Sequence, residues 1–185
     1  MNQNIIDDLK AFDWQTIIEY GNSLSDLNEG QWRFLKGLVA ELVTEKCSNG
    51  NLIYVGKNHK DFDWPRHNIS IAVELKSQFT KSMYDKKGRL RKNYTIKLNN
   101  SNGTNEKKKL TTDNVADIVI VVRNDGAFMI DQATAIKYAK PAGDGFTVKV
   151  PRDEIIELSG LIIPEKVYDL NLKQKIMKVI RDSLP

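Results

Sequence analysis

A single cysteine, Cys47, leaves this chain unable to form an internal disulfide, and its only histidines, His59 and His67, make no grouping of the kind that holds structural zinc. Any metal it binds is therefore expected to sit on oxygen ligands. Neither histidine has a nucleophile or carboxylate at a catalytic spacing, so both read as loop residues able to touch phosphate. Long apolar runs are missing too. The longest, Ile118 to Val122, is far too short to cross a bilayer, and the opening Met1 to Lys10, with Asp7 and Asp8, lacks the basic-then-apolar order of a signal peptide. A cytoplasmic protein with no membrane partner is expected. There is no repeat, no low-complexity tract and no glycine-rich phosphate loop, and no organic cofactor is expected.

What is present is the material of one domain: 185 residues, 41% apolar and 28% charged, enough to bury a full core. Net charge is only +4, but the balance is lopsided. Between Lys76 and Lys109 eleven Lys and Arg face two acids, a local +9 that leaves −5 for everything else. A polyanion-binding surface needs such concentration, although a solvated Lys-rich loop has the same composition.

The stretch Asp61 to Ser77, DFDWPRHNISIAVELKS, sets the chemistry. Ile69 to Lys76 reads as a strand, in which residues two apart share a face, so Glu74 and Lys76 point one way and Leu75 into the core. Asp61 to Trp64 is a shorter alternating run, and Pro65 to Asn68 has the turn chemistry to fold it back antiparallel, bringing Asp61 or Asp63 beside Glu74. Two carboxylates and a lysine on adjacent strands suit phosphodiester hydrolysis: the acids hold a hard divalent cation, and the lysine orients or deprotonates the attacking water. A cross-strand ion pair on a solvated hairpin would look the same.

An Asp, ten-odd residues, then Glu-x-Lys in an apolar strand is similar to the PD-(D/E)xK nucleases, and Ser77 directly after the lysine resembles their small blunt-cutting type II restriction endonucleases. Lys60 stands where that pattern has Pro. The resemblance implies Asp61, Glu74 and Lys76 as catalytic residues, with Mg2+ on Asp61, Glu74 and the Leu75 carbonyl. It prefers Asp61 to Asp63 because an apolar residue, Phe62, follows directly and another, Trp64, two on, and it leaves Asp63 and Glu41 as auxiliary acids. It also implies a restriction-endonuclease-like α/β fold, a mixed sheet of five or six strands flanked by helices.

The remaining elements follow in order. Ile5 to Leu24 is helical, with Asp13 capping Trp14 to Tyr20 and Gly21-Asn22 as a stop. A longer helix runs from about Glu29 to Lys46, entered through a capping box from Asn28 to Gln31, carrying the stripe Trp32, Leu35, Leu38, Val39, Leu42, Val43, and ended by Ser48-Asn49-Gly50. Asn51 to Val55 reads as a first strand. Phe79 to Leu98 reads as a hairpin turning at Asp85 to Gly88, its arms carrying Lys81, Arg89, Arg91 and Lys97, a ribbon suited to the major groove of double-stranded DNA. Asn99, Asn100, Ser101 and Asn102 beyond it are suited to base edges, and Lys107, Lys108 and Lys109 to phosphates. Ala116 to Val122 and Ala127 to Ile130 form a central hairpin across Asn124-Asp125-Gly126, Asp131 caps a helix through Tyr138, Phe146 to Val150 is a strand, and Pro151 to Leu158 and Asp169 to Leu184 are helices.

The function expected is a homodimeric, magnesium-dependent type II restriction endonuclease cutting at a short palindrome, since two strands need two sites and a palindrome matches a two-fold. A structure-specific repair or recombination nuclease of the same superfamily, and a DNA-binding protein without catalysis, remain open.

Overall fold

The computed structural model describes residues 3–24, 29–57, 60–66, 69–99, 109–143 and 145–162. Three helices open the chain: α1 (Gln3–Lys10), α2 (Trp14–Ser23) and α3 (Glu29–Cys47). Asp13 caps α2 as expected, its Oδ1 accepting from the Thr16 N–H at 3.1 Å. Gly21 does not stop that helix; it lies inside it, where a Cβ would come within 1.9 Å of the Phe79 ring. The residue is small because an aromatic side chain crosses the helix there. Asn49 and Gly50, at φ 54° and 77°, end α3 in the left-handed conformation that asparagine and glycine tolerate. The capping box at Asn28 and the helix from Asp169 lie outside the described residues.

The strands β1 (Ile53–Lys57), β2 (Lys60–Arg66), β3 (Ile69–Gln78), β5 (Ile118–Arg123), β6 (Gly126–Asp131) and β9 (Ile156–Glu157) form one mixed sheet in the order β1-β2-β3-β5-β6-β9. Only β3 and β5 run parallel. A second sheet, β4-β8-β7, is made of β4 (Asn93–Asn99), β7 (Ala139–Ala142) and β8 (Gly145–Pro151). The mixed α/β class, the six strands and the flanking helices match the sequence reading.

Because β5 and β6 are buried on both faces, the main sheet carries two cores. Ile118, Ile120, Val122 and Met129 face the helices together with Phe62, Trp64, Val73, Leu75, Ile17 and Ile18. Val119, Val121, Phe128 and Ile130 face the second sheet and α4 (Gln132–Tyr138), against Tyr94, Ile96, Val148 and Val150. Alternation along the strands therefore assigns Glu74 and Lys76, in register with Val119 and Val121, to the second-sheet face.

Two expectations need correction. Residues 79–98 are not a two-stranded ribbon: the turn falls at Asp85 as expected, but pairing is limited to one bridge, Tyr84 to Leu90. Asp125 captures the Met83 N–H at 2.7 Å, Asn124 donates to the Lys81 carbonyl at 3.1 Å, and β4 pairs along its length with β8, which buries Tyr94, Ile96 and Leu98. Residues 151–158 are not a helix. After one 3-10 turn at Arg152–Glu154, Ile156 and Glu157 pair with Met129 and Phe128, and the Leu158 N–H donates to the Ala127 carbonyl at 2.9 Å. Pairing to an open sheet edge outweighed the local helix signal of Pro151.

Candidate active site

The β2–β3 hairpin builds the site. Its register runs from Arg66 opposite Ile69 to Phe62 opposite Val73, so one further step sets Asp61 across from Glu74. Phe62 and Trp64 anchor β2 in the helix-side core, which turns Asp61 and Asp63 to the face that carries Glu74 and Lys76. The two acids then diverge. Asp61 Oδ2 accepts from the Leu75 backbone N–H at 2.6 Å, at the level of the Glu-x-Lys motif. Asp63 lies opposite Ala72, accepts from Ser70 Oγ at 2.7 Å and pairs with Lys60, so its carboxylate is spent on the far side of the hairpin.

Glu74 is only 4% exposed. One oxygen pairs with Lys76 Nζ; the other, Oε2, is buried and has no hydrogen-bond partner among the described residues. Such a carboxylate oxygen is expensive to keep in a folded protein. Burial pushes the Asp61 carboxyl up from 3.8 to about 6, the Leu75 N–H opposing and the Glu74 charge adding to the rise, while Lys76 pulls it down. Leu75 itself, whose carbonyl is the third expected ligand, lies between the two charged residues with its side chain in the helix-side core.

Glu41, one turn after Gly37 on α3, reaches this cluster from the helix side. Burial and the Asp61 charge raise its carboxyl from 4.5 to about 7, against the Tyr54 hydrogen bond and the Lys76 charge. Tyr54 is the member that sequence reasoning missed. It stands on β1 opposite Phe62, its backbone N–H donates to Glu45 Oε1 at 2.7 Å, and its phenol, hydrogen-bonded to Glu41, is pushed up to about 12 by burial and then by the Glu41 charge. A lone tyrosine in a short strand carried no signal of this.

Among the described residues no group of three or more His, Cys, Asp or Glu side chains is set to enclose a metal ion. The donors that do converge are two carboxylates. That set fits Mg2+, which keeps several waters and takes one or two carboxylates plus substrate phosphate, better than it fits an all-protein calcium cage. The partnerless Glu74 Oε2 beside a desolvated Asp61 is the observation that supports this fit.

Of the expected DNA contacts, Lys81, Arg89, Arg91, Lys97 and Lys109 are exposed. Arg89 is tied to Asp85 by Nε and Nη2 at 3.1 and 3.0 Å, and Arg91 Nε donates to the Ser82 carbonyl at 3.0 Å. Asn99 ends β4, and its side chain, together with Asn100, Ser101, Asn102, Lys107 and Lys108, lies outside the described residues. Arg123 was missed. It sits beside Gln78 in the β3–β5 register, and its appearance two residues after Val121 in an apolar run was the available signal.

No protein-family model, curated protein or solved structure matches this chain. No helix among the described residues is long and apolar enough to cross a membrane.

Proposed function

We propose that this protein is a divalent-metal-dependent deoxyribonuclease of the PD-(D/E)xK kind, with a restriction-endonuclease-like fold, acting as a type II restriction endonuclease. One observation carries the reading: Asp61 and Glu74 meet on adjacent strands as desolvated carboxylates, one with a buried oxygen that no donor among the described residues satisfies, and Lys76 stands beside them. Asp61, Glu74 and the Leu75 carbonyl would hold Mg2+, which when bound polarises the scissile phosphate and acidifies a water.

The chain's own residues do the rest. The Leu75 N–H fixes the Asp61 carboxylate in orientation. The Lys76 ammonium, partly exposed and held by Glu74, is placed to orient the attacking water and to offset the negative charge that builds on the phosphate. Glu41, protonated over more of the pH range than an ordinary carboxylate, can accept or return a proton next to Asp61. Cleavage of both strands calls for two such sites, so the active form we propose is a homodimer with two-fold symmetry on a palindrome.

A second reading keeps Glu74 and Lys76 as an ion pair in a DNA-binding protein; the closed contact between them favours it. Incubation of purified protein with plasmid and Mg2+, then with EDTA, separates the readings. Discrete fragments that vanish with EDTA support a restriction endonuclease. Unspecific or structure-dependent nicking points to a repair or recombination nuclease, and retardation without cutting sinks the catalytic reading.

A further inference from the structure

The three-stranded sheet turns one face to the second core and the other to solvent. Its inward positions are Tyr94, Ile96, Leu98, Phe146, Val148 and Val150. On the outward face the register sets Thr95 beside Lys149, and Lys97 beside Thr147 and then Lys140, in two adjacent rows across the strands. The three lysines are exposed. No described outward position on these strands carries a carboxylate or an aromatic ring. Strands about 4.8 Å apart put Lys97 and Lys140 about 10 Å from each other, with a threonine hydroxyl between them.

The β4 edge of this sheet comes close to the end of β3, although its outward face is turned away from the main sheet. The Gln78 side-chain amide donates to the Thr95 carbonyl at 3.2 Å, so β4 lies along the end of β3, two residues past Lys76. At that seam Arg123, 2% exposed, stacks over Tyr94 and Phe128 at 4.9 and 5.5 Å and donates to the Ser82 carbonyl and Gln78 Oε1. No carboxylate among the described residues forms an ion pair with it. The Lys81 ammonium is held below its usual range by burial and then by the charges of Arg123 and Lys97. The nearby Asp125 carboxylate offsets the Arg123 charge only in part, so an added anion would still be favoured beside Lys81 and Lys97.

We propose that the outward face of the three-stranded sheet, with Lys97, Lys140 and Lys149 as its charges and Thr95 and Thr147 as hydroxyl donors, is a sequence-neutral track for the phosphate backbone of duplex nucleic acid. Lys81, in the turn that follows β3, extends it at the β4 edge. Phosphate contacts from lysine and threonine position a duplex without reading its sequence. A single strand would call for stacking platforms, and this face offers no ring. The proposal rests on the nuclease reading only in taking the bound duplex to be the substrate.

The test is binding of a short fluorescent duplex of arbitrary sequence in EDTA, followed across a salt series. The combined Lys97→Met, Lys140→Met, Lys149→Met variant should lose affinity for all sequences alike, and its log-affinity against log-salt slope should fall by about 0.9 per lysine, near 2.7 in all. Melting temperature should stay put because the three side chains are solvated. An unchanged slope overturns the track. Equal or tighter binding of the single strand, or a loss confined to phosphatidylserine vesicles, also overturns it by naming another occupant. If wild-type protein cuts nothing with Mg2+ while the lysine variant loses duplex binding, the track stands and the nuclease reading falls; if wild-type protein cuts and the variant keeps its slope, the nuclease reading stands and the track falls.

Discussion

Strands β3 and β5 lie side by side in parallel register, yet they have opposite contents. β5 is buried at every position, from Ile118 to Arg123. At the same level and on the same face, β3 holds Glu74 where β5 holds Val119, and Lys76 where β5 holds Val121. The sheet would accept valines at both places, and the local environment gives the carboxylate less than it needs, since Glu74 Oε2 has no donor among the described residues. A polar pair kept where an apolar pair would pack is the mark of a site retained for chemistry rather than for stability.

The sharpest way to break the contrast is to make β3 resemble β5. On the proposed function, the Glu74→Val, Lys76→Val double variant should lose cleavage by at least about 10³-fold, since it removes both the proposed metal ligand and the group proposed to serve the water. It should also fold at least as stably, by up to about 1 to 2 kcal/mol in urea titration, since Glu74 is buried although Lys76 is partly exposed, and such pairs are often no more stabilising than packed apolar side chains. A variant that melts lower and still cuts would remove the contrast from both sides.

The converse exchange, Val119→Glu, should destabilise by about 3 kcal/mol or more. Val119 is fully buried between Glu74 on β3 and Ile130 on β6, and a new carboxylate there would face an existing one with no lysine of its own. Denaturation that shows a loss under about 1 kcal/mol would mean that β5 is as open to water as β3, and the contrast would dissolve.

Much of this arrangement was legible in the sequence. The alternation in Asp61 to Trp64 and Ile69 to Lys76, with Pro65 to Asn68 between them, specified the hairpin and its polar face, and the apolar run at Ile118 specified a doubly covered strand. What escaped depends on partners distant in the chain. The segment from Phe79 looked like a hairpin arm, but Asn124 and Asp125, some forty residues on, claim its backbone. Glu157 and Ile156 had helix-like surroundings until β6 offered an edge. Tyr54 meets Glu41 only because β1 folds beside α3, and Lys140 and Lys149 join Lys97 only through pairing across β8.

The contrast between the strands can also be titrated, since β5 carries no carboxylate and β3 faces Asp61. With the folded carboxyl of Asp61 at about 6 and its ordinary value at 3.8, the native state binds a proton more tightly than the unfolded chain. Its contribution is therefore fully present below the lower value and is lost as pH rises through the upper one, about 3 kcal/mol in total. Asp61→Asn should remove that loss. In EDTA, urea midpoints of wild type and variant should diverge between pH 4 and pH 7, the variant gaining on the wild type; parallel curves would show Asp61 to be solvated.

The smallest effect tests where the polar region ends on the helix side. Gly37 lies within α3, and a Cβ built on it meets nothing nearer than Glu41 Oε1 at 4.0 Å, an ordinary contact. Gly37→Ala should therefore raise stability by about 0.5 to 1 kcal/mol through helix propensity alone. If Glu41 only borders the site, cleavage and its pH profile should be unchanged. If Glu41 handles a proton next to Asp61, a methyl in ordinary contact with its carboxylate, which displaces water there, should shift the profile slightly while the stability gain remains. A variant that is less stable would show instead that the glycine serves close helix packing, with no bearing on Glu41.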